Sequence, residues 1–415
     1  MTAPQPLLLN QHARLTKEHY KILLVSWAGW VFDFYDLILF SFLLGPIGAE
    51  LGLSRGRLSY VLGATLAATA VGGAMFGFLA DHFGRKRTLQ WTILAYSVGT
   101  LLCGFADSLP VLLVFRVITG LGVGGEWATG QTYVGETFPA PVRGRYGAFM
   151  QTGAPIGIAL ASVVGGFVAP VIGWRACFVL SFLPAILVVY IRKALPESDL
   201  WVKHKERVVG GGANRFLLLL SPAHRKMFLF SLILALFDMS AYWFTYSWLP
   251  SYLHEERHFS MTKSAAWILV TQCGGLLGYL SFGFFADRYG RRLAFSVYSV
   301  LMAVGLLMVT LFWSAIVALP ALILFCMFLV GFGTGMFGGY GPLFAELFPT
   351  SIRSTAMGTA FNLARGVQFF TPVLITIIAQ RYGLAGGISV AAFFALLAGA
   401  WIWVFPETRG LVLHD

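Results

Sequence analysis

The chain carries one charged turn in two copies. Gly77-Phe-Leu-Ala-Asp81-His-Phe-Gly84-Arg85-Lys86-Arg87 returns as Gly283-Phe-Phe-Ala-Asp287-Arg-Tyr-Gly290-Arg291-Arg292, with the glycines, the aspartate and the basic residues at the same internal spacing. Asp81 and Asp287 stand 206 residues apart in a chain of 415, as expected of two copies of one half-length unit. Each copy sits between two long apolar runs. That context predicts a tight turn joining two membrane helices, where glycine permits the reversal and the cations hold the turn on the cytoplasmic side. A basic, glycine-rich turn also suits phosphate or nucleic acid, but no strand precedes either copy, which argues against both.

Composition points the same way. Hydrophobic residues make up 58% of the chain and charged residues 11%, against about 25% charged in ordinary soluble domains. So much apolar surface needs lipid as its solvent. At about 20 residues per span, the length accommodates twelve helices with short loops. The net charge of +11 follows from topology rather than from a nucleic-acid partner. Of the 29 Lys and Arg, 21 fall on one set of alternate loops and termini, 6 on the other set and 2 within helices. This asymmetry predicts a multi-pass protein of the cell's inner membrane with both termini in the cytoplasm. Cys103, Cys177, Cys273 and Cys326 are scattered singly, with neither a metal spacing nor a disulfide framework. No metal and no cofactor are expected. Residues 1–20 are polar and the first apolar run is span-length, so no cleavable signal is expected.

The expected organisation is a cytoplasmic tail over 1–20, six helices over 21–192, a basic cytoplasmic linker over 193–226 containing Gly210-Gly-Gly-Ala-Asn214, six helices over 227–405 and a tail over 406–415. The duplication extends past the opening turn. Glu136-Thr-Phe-Pro139, followed by Arg143, is echoed by Glu346-Leu-Phe-Pro349 and Arg353 at an offset of 210. Pro196-Glu197-Ser198 matches Pro406-Glu407-Thr408 at the same offset, and Phe32-Asp33 matches Phe237-Asp238 at 205. Parallel repeats of six helices imply two bundles, a binding site near the midplane between them, and rocking between inward and outward states.

Six ionisable residues fall well inside helices: Asp33, Asp36, Arg116, Glu126, Asp238 and Arg365. Each costs at least about 2.5 kcal/mol at mid-helix on insertion scales, which marks it as a functional candidate. The repeat helps to separate scaffold from function, because a charge present in one half only is not required by the fold. Asp33 and Asp36 share a helix face, and two carboxylates so close cannot both ionise cheaply. That fits a proton carrier, while Arg116, at a similar depth, allows a static salt bridge to Asp36 instead. Gly120, Gly122 and Gly124 recur as Gly331, Gly333 and Gly335, but Met327 and Phe337 replace Arg116 and Glu126. The glycines therefore read as scaffold and the charges as function. Asp33, Asp36, Glu126, Asp238 and Arg116 are the proton-coupling candidates.

Arg365 is matched by Ala154 in the repeat, Asn362 is matched by Gln151, and Asn362 and Gln368 share the helix face of Arg365. A guanidinium near the midplane suits a carboxylate, which it can clamp bidentately, or it pairs internally with Asp238 or another acid. Tyr242 and Tyr246, at i and i+4, are cavity candidates in a cluster with Trp243, Trp248 and Tyr252 that equally suits packing or an interfacial belt. The duplicated residues Gly77, Asp81, Gly84, Arg85, Asp287, Gly290 and Arg291 are assigned to gating.

With both turns in view, the chain resembles the major facilitator superfamily, whose loops between helices 2 and 3 and helices 8 and 9 carry this signature. Asp33-Phe-Tyr-Asp36 is similar to the paired-aspartate signature of proton symporters for organic acids. Gly124-Gly125-Glu126-Trp127 resembles a segment of the sialate and metabolite symporters. Gly173-Trp174-Arg175-Ala176 with Leu195-Pro196-Glu197 looks like the bacterial sialic acid transporters, although these often have two additional central helices where this chain has a short linker. Pro406-Glu407-Thr408-Arg409-Gly410 is similar to the terminal motif of sugar porters. The resemblance implies an all-α, twelve-helix, monomeric transporter that moves a small organic monocarboxylate of the lactate, sialate or aromatic-acid class together with protons. Alternatives are a neutral-sugar porter and a non-transporting nutrient sensor of the same fold. No nucleophile–base or metal-ligand constellation points to an enzyme.

Overall fold

Every regular element in the computed structural model is a helix, and the described residues are 9–11, 14–207, 215–246, 249, 252–259 and 261–411. The Gly210–Asn214 run, Trp248 and parts of both tails lie outside them. Helix α1 (Lys17–Leu51) begins at a capping box formed by Thr16 and His19 and ends at Gly52, whose φ of 63° only glycine adopts freely. Then come α2 (Arg55–Phe83), α3 (Arg85–Cys103) and α4 (Leu109–Thr137). Helix α5 covers 143–172 and α6 covers 174–194, each in pieces. The first pieces end at Gln151 and Leu180, and Pro155 and Pro184 explain why. Each lacks the N–H that would bond the carbonyl four residues back.

A linker helix (Asp199–Arg207) and a short turn of helix (Arg215–Leu219) lead to α7 (Arg225–Tyr246), α8 (Met261–Tyr289) and α9 (Arg291–Thr310). Helix α10 covers 320–347 and tightens to 3-10 geometry over Thr334–Gly339. Helix α11 begins as Arg353–Val367, tightens over Gln368–Phe370, and is divided from α12 by Gly383 (φ 71°) within Thr371–Trp401. Eight stretches among the described residues are long and apolar enough to cross a membrane. The expected spans outside that set are α3, which opens on Arg85-Lys86-Arg87, the broken α5 and α6, and the polar first part of α11.

The two halves of the chain pack alike. In the first, α1 lies on α5 while α2 and α3 both lie on α4; in the second, α7 lies on α11 and α12 while α8 and α9 both lie on α10. The halves meet where α2 crosses α11 and where α8 crosses α5. At those crossings the repeated glycines take two different roles. Gly77 and Gly283 lie inside α2 and α8 rather than in the turns. A Cβ on Gly77 would fall 2.5 Å from the Ser354 carbonyl oxygen, and one on Gly283 would fall 2.5 Å from Arg145 Cα. The reversal itself falls to Gly84 and Gly290, at φ 102° and 103°.

A candidate substrate cavity and two matched charge networks

Between the halves lies a cavity of about 140 Å³ lined from α1, α2, α5, α7, α8, α10 and α11. Helix α1 contributes Trp30, Phe34, Leu37 and Ile38, an i, i+4, i+7, i+8 stripe that forms one face. Aromatic side chains dominate the rest, with Tyr242, Trp243, Tyr279, Phe337 and Phe361 around Gln151 and Arg365. Arg365 is the one cation in this lining and is buried. Its guanidinium stands 5.6 Å from the ring centroids of Trp30 and Phe361 and 5.8 Å from that of Phe34. Arg365 Nη1 and Trp30 Nε1 have no hydrogen-bond partner among the described residues. A buried donor left unmet costs about 1–3 kcal/mol, so two in the lining of one cavity favour an acceptor-bearing ligand there.

The acids divide into two kinds. Asp36 accepts from Arg116 Nη1 at 3.1 Å and from the Thr100 hydroxyl, and Arg116 also lies 4.4 Å from the Phe40 ring centroid. Of the two arrangements open to Asp36 in the sequence, the structure forms the salt bridge. Asp33 and Glu126 are fully buried, and all four of their carboxylate oxygens lack a hydrogen-bond partner among the described residues. Asp33 sits within electrostatic reach of both Glu126 and Arg365. Glu126 packs against Gly29, where any side chain would displace it. Asp238 accepts from the Tyr340 hydroxyl and makes no ion pair with Arg365.

Toward the side of the membrane that holds the described ends of the chain, two matched networks tie the halves together. Asp81, at the end of α2, accepts from the backbone N–H groups of Ser354 (3.1 Å) and Thr355 (2.8 Å) and from the Thr355 hydroxyl (2.6 Å). It therefore caps α11, placing a negative charge at the positive end of that helix. Arg85 bonds Asp81 at 2.9 Å and grips Glu136 through two nitrogens at 2.8 and 3.1 Å, and Arg353 joins Glu136 at 2.6 Å. In the second copy Asp287 caps α5 through Gly144 N–H (3.1 Å) and Arg145 N–H (3.0 Å). Arg291 bonds Asp287 at 2.7 Å and Glu346 at 3.1 Å, and Arg143 reaches Glu346 at 3.2 Å. The repeated Pro-Glu-Ser/Thr segments complete the pattern. Glu197 accepts from the first N–H groups of α3 and Glu407 from those of α9, while Ser198 and Thr408 donate to Glu136 and Glu346.

The structure thus brings Arg365, Gln151 and Tyr242 to the cavity, while Asp33 and Glu126 are outside its lining and Asp33 feels the charge of both Glu126 and Arg365. Three binding candidates go elsewhere. Asn362 donates to the Gly124 carbonyl across the α4–α11 seam (2.9 Å). Gln368 donates to Ser240 (3.3 Å) and to the carbonyl of Ala364. Tyr246 packs behind Tyr242 with the rings tilted by 40° and their centroids 4.7 Å apart. Trp30, Phe34 and Phe337 were not singled out in the sequence, although the α1 stripe that carries two of them was visible there.

The Major Facilitator Superfamily model matches residues 26–281, and the model described as Sugar (and other) transporter matches 213–415. Among similar proteins, the sialic acid transporter NanX of Escherichia coli is 33% identical, over 91% of this chain and 92% of its own length. The cis,cis-muconate transport protein of Acinetobacter baylyi is 29% identical over 93% and 94%. The niacin transporter NiaP of the same organism is 28% identical over 96% of each. Among solved structures, the proton:xylose symporter XylE bound to 6-bromo-6-deoxy-D-glucose superposes with a TM-score of 0.79 at 20% identity, covering 95% of this chain and 98% of that one.

Proposed function

The chain belongs to the major facilitator superfamily, and on that premise we propose that it is a proton-coupled symporter of a small monocarboxylate built around a single ring or a short unsaturated skeleton. The protein is a transporter rather than an enzyme, in a family whose members of this kind need no cofactor. In this proposal twelve spans form two six-helix bundles (21–192 and 227–405) that rock about the cavity in the inner membrane, with both termini cytoplasmic.

The observation that carries the substrate class is the presence of Arg365 Nη1 and Trp30 Nε1 as two unmet donors in a cavity whose lining, Gln151 apart, is otherwise aromatic and aliphatic. A planar carboxylate supplies the acceptors, and the rings receive the rest of the molecule. Cavities of about 150 Å³ lined by apolar side chains take up a benzene molecule, and this one measures about 140 Å³. A single-ring acid fits that space, whereas a polyhydroxylated acid the size of sialate needs both more room and more polar partners. Coupling follows from charge. Arg365 is a cation whose field acts on Asp33, so a substrate carboxylate that engages the guanidinium offsets that counter-charge. The Asp33–Glu126 pair then takes up a proton, and substrate and proton load together.

Uptake into proteoliposomes tests this with benzoate, nicotinate, lactate, sialate and glucose, each with and without an inward proton gradient. The expected outcome is fast uptake of benzoate or nicotinate, accelerated by acid outside and abolished by a protonophore. Preferred uptake of sialate overturns the size limit, and preferred uptake of glucose supports the neutral-sugar alternative that the second family match keeps open.

A further inference from the structure

A second cavity lies in the first half and shares no lining residue with the substrate space. It has a volume of about 790 Å³ between the start of α3, α6 and the linker helix. Its charge is lopsided. Lys86, Arg87 and Lys205 line it, and none of the three makes an ion pair with a carboxylate among the described residues. The one acid in the lining, Glu197, is already held by the backbone N–H groups of Arg85 and Lys86 at 2.8 and 3.1 Å. Below the cations the lining turns apolar and aromatic, with Trp91, Leu94 and Val188. Trp91 is 39% exposed and Leu94 44% exposed, on the flank that a bilayer covers. Lys205 rides over the Trp201 ring at 4.8 Å, which holds one cation at the rim.

Unpaired cations above an apolar wall match the two ends of one molecule. We propose that this groove binds an anionic phospholipid, with the phosphodiester among Lys86, Arg87 and Lys205 and an acyl chain along Trp91, Leu94 and Val188. Juxtamembrane basic residues attract anionic lipid at about 1 kcal/mol each, so three give a preference over neutral lipid of about two orders of magnitude at most. The groove is also tied to the gate. Trp201 buries its ring there and donates from Nε1 to the Asp81 carbonyl at 2.9 Å, and the Asp81 carboxylate caps α11. A lipid that braces the linker helix therefore braces the closed gate.

Native mass spectrometry of the full-length protein, delipidated and then titrated with phosphatidylglycerol or phosphatidylcholine, tests the site. Phosphatidylglycerol is expected to be retained at least tenfold more strongly. The triple substitution Lys86→Gln, Arg87→Gln, Lys205→Gln is expected to remove most of that preference. The control Lys193→Gln, Arg225→Gln, Lys226→Gln, which removes the same charge from exposed positions outside the groove, is expected to leave it intact. Equal losses in both triple variants overturn the site in favour of diffuse charge. Displacement of phosphatidylglycerol by millimolar glycerol phosphate shows a soluble-anion site instead and overturns the lipid assignment. Leu94→Glu, which leaves every cation in place, separates the two further, because it is expected to weaken lipid retention at least fivefold.

Discussion

Arg365 concentrates the chemistry of the cavity in one side chain, and its replacement gives the sharpest test at the residue scale. Truncating one partner of a partly desolvated ion contact costs about 2–5 kcal/mol. Arg365→Ala is therefore expected to weaken substrate binding at least thirtyfold by calorimetry, and Arg365→Lys to recover only part of the loss, since an ammonium cannot reproduce the planar fork. The methyl ester of the substrate should bind wild type poorly and lose little more in Arg365→Ala. The two aspartates of α1 should behave differently. Asp33→Asn is expected to abolish accumulation against a gradient while sparing counterflow exchange in proteoliposomes. Asp36→Asn strands Arg116 in the protein interior, where breaking a buried pair costs about 3–5 kcal/mol, so its signature is a lowered thermal midpoint in detergent. Six buried charges were legible in the sequence because lipid makes each expensive, but their partners were not. Helical spacing gives the face of a residue and not the neighbour opposite. The same limit explains Asn362 and Gln368. They share the Arg365 face by periodicity, yet Asn362 reaches across to α4, and Gln368 sits where α11 has already tightened to 3-10 geometry.

At the scale of elements, the duplicated turn proves to be a helix cap supplied in trans. Asp81 satisfies the first N–H groups of α11, and Asp287 those of α5. An N-cap is worth about 0.5–2 kcal/mol, and here the cap also carries the Arg85–Glu136 and Arg291–Glu346 pairs. Asp81→Ala is expected to shift the resting state toward opening on this side, read as faster labelling of a cysteine introduced at Gln131, while substrate affinity stays within a few-fold. Asp287→Ala should act in the same direction, and the double variant should exceed either. Unchanged labelling in the double variant would show that the caps do not govern opening. The repeat made both turns visible in the sequence, and the offset of 210 already joined Glu136 to Glu346 and Glu197 to Glu407. What the sequence did not reveal was that each turn reaches into the opposite half, since an internal repeat records likeness and not contact. The first pieces of α5 and α6 end four residues before Pro155 and Pro184, although a proline in an apolar run does not by itself distinguish a kink from a break.

At the scale of the molecule, apolar composition and the internal repeat pointed to a two-part helical membrane protein, and the cavity between the parts follows from that pairing. Its aromatic character did not, because aromatic residues are frequent throughout the chain and most serve packing. One of these packing contacts lies across the boundary between the halves. Trp127 of α4 lies nearly flat on Phe361 of α11, with centroids 3.7 Å apart and planes 13° apart, and the indole is fully buried. Rocking that opens the gated side must part these rings and let water reach the indole. The emission of Trp127 should then shift to the red and dim as the transporter opens, in step with substrate added under a proton gradient. The difference between wild type and Trp127→Phe isolates that signal from the other tryptophans, and stopped-flow mixing would show the cycle as it happens, with the protein's own fluorescence as the clock.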